Sequence, residues 1–331
     1  MPPCSASVRT SHERHARRLG GANQRVRVLI GRLALALALS TAVAGHAQEL
    51  EPRAYSASPA GTNFAIVSYA HASGDVLFDP SLEVTDAQAR IDTLMAGYVR
   101  TFGLLGRSAS LGALLPYVQG SLSGALSGAP TRVYRSGFGD ARLRLALNML
   151  GGPALTPEEF ATREATTTLG ASLSVVAPTG QYGSSRLINI GSNRWAFKPE
   201  LGLSHPIGNW FVEATAGVWL FTDNTDFFGG NTRSQDPLAA YQLHAGYTFR
   251  PGLWIAADAT YYTGGETSVN GTGRQDLQEN SRYGLTLSIP FNARWSAKLA
   301  WATGLTTRIG GNFQTAFLAL QYRWFDAAPG R

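Results

Sequence analysis

Arg142, Arg144, Lys198, Glu200, Glu213, His244, Asp258, Arg282, Lys298 and Arg323 occupy the polar frame of segments in which polar and apolar residues alternate. That spacing places a charged group on one face of a β-strand, because strand side chains change sides with period two. Gathered around a common axis, such groups make a charged wall. A charged wall around water selects ions by sign; around a narrow bore the same charges pair with one another and fill it. Catalysis is a third use, since a hydrolase needs a nucleophile and a base within hydrogen-bond reach. Three histidines follow residue 47. His71 falls in what reads as the first long loop, His205 stands beside Pro206 at a strand end, and His244 has no carboxylate at a convincing sequence spacing. No triad is recognisable, and no glycine-rich phosphate loop follows a strand and opens a helix. No catalytic residue, cofactor or metal site is expected.

The elements that would carry this wall are strands. In "GFGDARLRLALNML", residues 137–150, Ala141, Leu143, Leu145, Leu147 and Met149 alternate with Arg142, Arg144, Ala146 and Asn148. At 100° per residue a helix would scatter these side chains around its circumference; a strand separates them into an aliphatic and a polar face. The alternation recurs at 166–178, 194–204, 210–220, 239–249, 253–262, 282–289, 294–302 and 316–324. Strands near 63–71, 93–103 and 108–120 are less regular, which brings the total to about twelve, an even number as bacterial barrels have. The connections alternate. "PIGN", "RPG" and "PFNA" are turn-sized, whereas 72–91, 121–136, 178–194, 222–237, 263–281 and 304–312 are long and rich in Gly, Asn and Ser. Long loops on one side and short turns on the other are what an outer-membrane barrel requires. One turn breaks the rule: "GGPALTPEEFATRE", 151–164, carries Thr156 as N-cap, Pro157 after it and Glu159 three beyond, which predicts a short helix near 157–163. In the apolar frame, Trp195, Tyr261 and Tyr283 fall at one end of the strands and Trp210, Tyr247, Trp295, Tyr322 and Trp324 at the other, as in two interfacial girdles. A soluble sandwich, the alternative, needs no such bands. The fold expected is all-β: a transmembrane antiparallel barrel spanning 63–325, with Leu143, Leu145 and Leu147 on lipid and Arg142 and Arg144 in the lumen.

Residues 1–47 read as an export signal. Seven arginines precede the apolar run 33–44, and Gly45 and Ala47 bracket a cleavage site. The chain has 28 basic and 22 acidic residues, but this leader holds seven of the former and one of the latter, Glu13. The remainder is formally neutral, which leaves no electrostatic footprint for nucleic acid. The single cysteine, Cys4, lies in the leader, so disulfides and thiolate chemistry are excluded beyond it. Residues 48–62 form a short periplasmic segment, too few for an N-terminal plug, and 326–331 a tail. Asp223, Asn224, Asp226 and Asp236 in the loop 221–236 lack the spacing of a calcium loop. Phe227 and Phe228, at the tip of that loop, are candidates for a gate or for contact with lipopolysaccharide acyl chains.

Several of these stretches resemble one family, the outer-membrane transporters associated with the meta-pathway of phenol degradation. The resemblance rests on "GFGDAR" (137–142), "PALTPEEF" (153–160), "APTGQYGSSRLINIGSNRWAFKPELGLS" (177–204), "DNTDFFGG" (223–230), "QDPLAAYQLH" (235–244), "YYTGGETSVNG" (261–271) and "QYRW" (321–324), and covers about 60–325. It implies an outer-membrane barrel and passive uptake of small molecules; that these are hydrophobic or aromatic comes from the resemblance alone. The partners expected are outer-membrane lipid and lipopolysaccharide, the barrel assembly machinery and a small-molecule substrate. Outer-membrane proteins often end on an aromatic residue that the assembly machinery recognises; here Phe325 is followed by "DAAPGR". A structural or adhesive barrel without transport, and an outer-membrane hydrolase, are the other readings.

Overall fold

A computed structural model describes residues 51–78, 84–126, 128–186 and 188–326; the export-signal reading of residues 1–47 lies outside them. In chain order the elements are β1 (Thr62–Leu77), β2 (Val84–Leu104), β3 (Arg107–Leu126), β4 (Ala129–Phe138), β5 (Arg142–Leu150), α1 (Pro157–Ala161), β6 (Thr168–Val176), β7 (Ala196–Ile207), β8 (Trp210–Phe221), β9 (Asn224–Phe227), β10 (Asn231–Gln235), β11 (Leu238–Arg250), β12 (Leu253–Gly264), β13 (Thr267–Val269), β14 (Thr272–Gly273), β15 (Gln278–Pro290), β16 (Trp295–Thr306) and β17 (Gly310–Phe325).

β4 and β5 are two pieces of one wall strand. Both pair with β3, β4 from Leu126↔Ala129 to Tyr117↔Phe138 and β5 from Leu114↔Arg142 to Ala109↔Leu147. With that join, twelve antiparallel strands form the ring, and β1 closes it on β17 from Thr62↔Phe325 to Leu77↔Gly310. Closure is what an apolar medium demands, because an open sheet edge would leave backbone N–H and C=O groups without partners. The two faces of each strand then divide by solvent. Along β12, Trp254, Ala256, Asp258, Thr260 and Tyr262 are buried inward, while Ile255, Ala257, Ala259 and Tyr261 are exposed outward. On β5, Leu143 and Leu145 are exposed and Arg144 is turned inward, half-buried; Leu147, in the same outward frame, is itself half-buried. Trp195, Tyr261 and Tyr283 are exposed outside, as are Trp210 and Trp295 toward the other end, where Trp295 packs on Tyr322 at 4.9 Å and Trp210 on Tyr247 at 5.0 Å.

Three expectations about connections are corrected. Stretches 72–91 and 121–136 are mostly strand: β1, β2, β3 and β4 extend as ribbons past the apolar belt, and their outward residues there (Arg90, Gln119, Ser121, Arg132) are polar. Their apolar side chains, Val76, Ile91, Leu122 and Val133 among them, turn inward, which reverses the outward apolar frame that marks the wall strands. His71 consequently lies in β1, facing outward, with Nδ1 2.8 Å from Oδ1 of its cross-strand partner Asp92. Stretches 222–237 and 263–281 supply β9, β10, β13 and β14, a separate four-stranded sheet at the extracellular end. In the long turn, α1 starts as expected. Thr156 accepts from the Glu159 N–H, and the Glu159 carboxylate accepts from the Thr156 N–H at 2.9 Å.

The outward belt makes one substitution decisive. Leu145→Arg, on the lipid face, is expected to destabilise the folded barrel by about 2–4 kcal/mol in urea titrations in bilayers, whereas Leu145→Met leaves it nearly unchanged. Equal stability of the Arg and Met variants would place Leu145 out of lipid.

Candidate functional site

The inward charges pair along the wall in two groups. Lys198 and Glu200, two apart on β7, share a face, with Nζ 2.9 Å from Oε2. Arg144 on β5 approaches Glu200 Oε1 at 3.7 Å, an ion pair beyond hydrogen-bond length. His244 and Asp258 are register partners of β11 and β12, with Nδ1 2.7 Å from Oδ1, and the Thr286 hydroxyl donates to the other carboxylate oxygen at 2.6 Å. That carboxylate stands fourteen positions downstream of the histidine, so sequence spacing concealed it and only the register reveals it. Glu213 accepts from Ser204 Oγ at 2.7 Å. Arg282 donates to Phe313 O and Thr315 Oγ1, both at 3.1 Å. Lys298 lies 5.7 Å over the Trp254 ring and Arg142 5.5 Å over Trp219. Arg323 sits apart, at the periplasmic rim, donating to Ala293 O.

The N-terminal segment enters this bore, which corrects the expectation that it is too short to plug it. Pro52 is fully buried and Tyr55 nearly so. The Arg53 N–H donates to Glu213 Oε2 at 2.5 Å and its Nη2 to Thr248 Oγ1 at 2.6 Å, while its guanidinium stacks 4.4 Å over Phe211. The Tyr55 hydroxyl donates to Glu200 Oε1 and meets Ser172 Oγ, each at 2.9 Å. Room for its ring comes from two inward glycines. A Cβ on Gly170 or Gly202 would lie 2.3 or 2.1 Å from the Tyr55 ring, closer than any side chain tolerates. Residues 58–61 then line the rim, with Ala60 N–H on Leu155 O and Gly61 N–H on Thr101 O. A plug need not be long when it is compact and the wall leaves space for it. The inward glycines were the available sequence signal.

At the extracellular end the wall strand is broken between β4 and β5. Above the break β4 pairs with β3 alone, and the loop 177–195 takes the place of its second neighbour. Gln181 N–H donates to Phe138 O and Ala177 N–H to Ala141 O. Asp140 pins the loop: its carboxylate accepts from Gly180 N–H and Ser192 N–H, both at 2.8 Å, and from Ser192 Oγ at 2.6 Å. Gly137, at φ 152°, allows the break, and a Cβ there would strike Gln181. Behind β4 lies a small open-mouthed cavity of about 40 Å³, lined by Ala89, Ile91, Val118, Leu122, Val133, Ile188, Ile190 and Phe313, with Arg135 and Asn189 among the few polar groups. Phe227 is buried against Val269 and Phe228 within the four-stranded sheet, which holds it away from lipid.

The family described as "Putative MetA-pathway of phenol degradation" matches residues 69–322. No curated protein matches the chain. Among solved structures, the COG4313 outer membrane channel from Pseudomonas putida F1 is similar with a TM-score of 0.73 and 25% identity, over 83% of this chain and 100% of that one. The transport unit of the autotransporter AIDA-I from Escherichia coli gives 0.49 and 10%, over 90% and 99%. The CymD monoaromatic hydrocarbon channel gives 0.39 and 11%, over 82% and 90%. With a match across well over half of its length, this outer-membrane barrel belongs to the phenol-degradation MetA-pathway family.

Proposed function

We propose that the protein passes small apolar or aromatic molecules inward across the outer membrane, without using the polar bore as their path. One observation carries this reading. The bore is occupied by paired charges and by residues 51–57, whereas the cavity behind β4, beside the break in the wall, is apolar and open at its mouth. Binding cavities for small molecules are concave and mostly apolar with few polar groups, and this one is. That the similar protein from Pseudomonas putida is an outer membrane channel supports transport over a purely structural or adhesive role. Catalysis is not part of the reading: the His244 Nε2 meets no hydroxyl among the described residues, and Thr286 donates to Asp258 instead of presenting a nucleophile. In this reading the charges of the bore, Arg144, Lys198, Glu200 and Glu213 foremost, hold the N-terminal segment more than they select ions. Lipopolysaccharide flanks the outer half of the wall, and Tyr322, Trp324 and Phe325 of β17 offer the assembly machinery its aromatic signal.

Two outcomes are expected. Deleting residues 51–57 raises single-channel conductance in planar bilayers several-fold over the intact mature chain, and further neutralising Arg142 and Arg144 shifts its reversal potential; unchanged steps after the deletion would show that the segment does not obstruct the bore. Val133→Trp, which fills the apolar cavity, slows accumulation of labelled naphthalene by cells several-fold and leaves the conductance of the deletion variant as it was. Naphthalene uptake indifferent to the tryptophan would remove the cavity from the path.

A further inference from the structure

A second polar group stands at the extracellular end, used neither by the bore nor by the apolar cavity. Arg194 precedes β7 and Arg233 lies in β10; they are 7% and 3% exposed. Arg194 donates through Nη2 to Gln235 Oε1. Arg233 and Gln235 are two apart on β10, so their side chains leave the strand on the same face. The hydrogen bond to Gln235 therefore brings the two guanidiniums together. Each lies over an aromatic face, Arg194 4.4 Å above Phe221 and Arg233 5.7 Å above Phe227. A ring face attracts the cation but accepts none of the N–H groups in the guanidinium plane. Among the described residues Arg194 Nη1 and Arg233 Nε and Nη2, all buried, have no acceptor.

Buried polar groups are nearly always hydrogen-bonded, and buried charges are paired. Two of the neighbouring carboxylates are engaged elsewhere. Asp140 serves Gly180 and Ser192, and Asp276 accepts the Thr267 N–H and hydroxyl, each at 2.7 Å. Burial holds both guanidiniums well below the usual arginine range, Arg194 at about 9 and Arg233 at about 10, and proximity to Arg233 lowers Arg194 further. Three buried, unpaired donors on two neighbouring cations are the recognition chemistry of a planar anion. Arginine forks match carboxylates in this way. The fields of Asp140, Asp223 and Asp276 offset part of the positive charge, which favours a monoanion over a doubly charged phosphate.

We propose that Arg194 and Arg233 form a binding site for the carboxylate of a small aromatic acid. The proposal deepens the transport reading and rests on it for its physiological meaning, since it names an acid group on the molecules that reach the vestibule. Binding is nevertheless measurable without transport.

The test is isothermal titration of the full mature protein in detergent with benzoate and with its neutral counterpart benzyl alcohol, inorganic phosphate serving as the competitor. The expected result is saturable one-to-one binding of benzoate, at least tenfold tighter than benzyl alcohol and little displaced by equimolar phosphate. Arg194→Met and Arg233→Met each weaken benzoate at least tenfold while retaining heat-modifiable gel mobility. Equal binding of benzoate and benzyl alcohol, no benzoate binding, or full benzoate affinity in both variants overturns the site. Phosphate as strong as benzoate overturns the carboxylate assignment. Should a methionine variant lose its folded mobility, the comparison of benzoate with benzyl alcohol on the unaltered protein decides alone. Naphthalene carries no charge, so its uptake tests the transport reading independently of this site.

Discussion

Backbone hydrogen bonding in a medium without water is the constraint from which the rest follows. Twelve strands satisfy it only by closing β1 onto β17, and closure fixes a bore whose width scales with strand number. Side chains of eight strands can fill such an interior; those of twelve leave space along the axis. Here the space is taken up by the chain itself. Tyr55 seats on the bare backbone of Gly170 and Gly202 and reaches Glu200, the same carboxylate that holds Lys198 and faces Arg144. One buried acid thus ties two wall strands, β5 and β7, and the N-terminal segment to a common point.

That arrangement also explains why the interior tolerates so many charges. An isolated ion in a dry bore would suffer a large desolvation penalty, and a paired one suffers less only when its remaining lone pairs and protons are also used. Glu200 accepts from Lys198 and Tyr55, Asp258 from Thr286 and its histidine partner, and Glu213 from Ser204 and the Arg53 backbone. The hydroxyls and the backbone N–H complete what the opposite charges leave undone. Two of these three carboxylates depend on groups from residues 53–55, so the order of the bore and the seating of the segment are a single property.

The parts of this design that were legible in the sequence are those set by strict periodicity. Leu143 and Leu145 against Arg144, or Ile255 and Tyr261 against Asp258, declare their faces without any knowledge of neighbours. The capping box of Thr156 and Glu159 is equally local. What stayed hidden depends on who lies beside whom. His244 and Asp258 are fourteen apart in sequence and adjacent only through the β11–β12 register. Tyr55 precedes the first strand and gains its role from Gly170 and Gly202, more than a hundred residues on. Arg194 and Arg233 meet because a short sheet, built from Asn-, Thr- and Gly-rich stretches with no hydrophobic period, folds one over the other. The ribbons of β2, β3 and β4 above the belt escape for another reason: there the outward face is polar and the apolar side chains turn inward onto Ile188 and Phe313, the reverse of the wall below.

The break between β4 and β5 joins these themes. A gap in a ladder is admissible within a membrane wall only if other groups take over its hydrogen bonds. Loop 177–195 does so at Phe138 and Ala141, and Asp140 holds the loop in turn through three donors. The wall above the break is therefore maintained on that side by side-chain and loop contacts, whereas the other neighbouring wall strands are joined by ladders of their own. Stability in folded proteins is unevenly distributed, and segments held by few ladder bonds open first. The apolar cavity lies directly behind this least continuous part of the wall, and Ile188, which lines it, also accepts from Arg135 of β4 through its carbonyl at 3.0 Å. A movement of the loop would change the cavity and the seam together without disturbing the other eleven strands. A polar bore filled from the periplasmic side and an apolar pocket bounded by a loop-held seam are complementary consequences of the same closure: the first fills the axis with paired charge and chain, and the second leaves an apolar surface beside the seam.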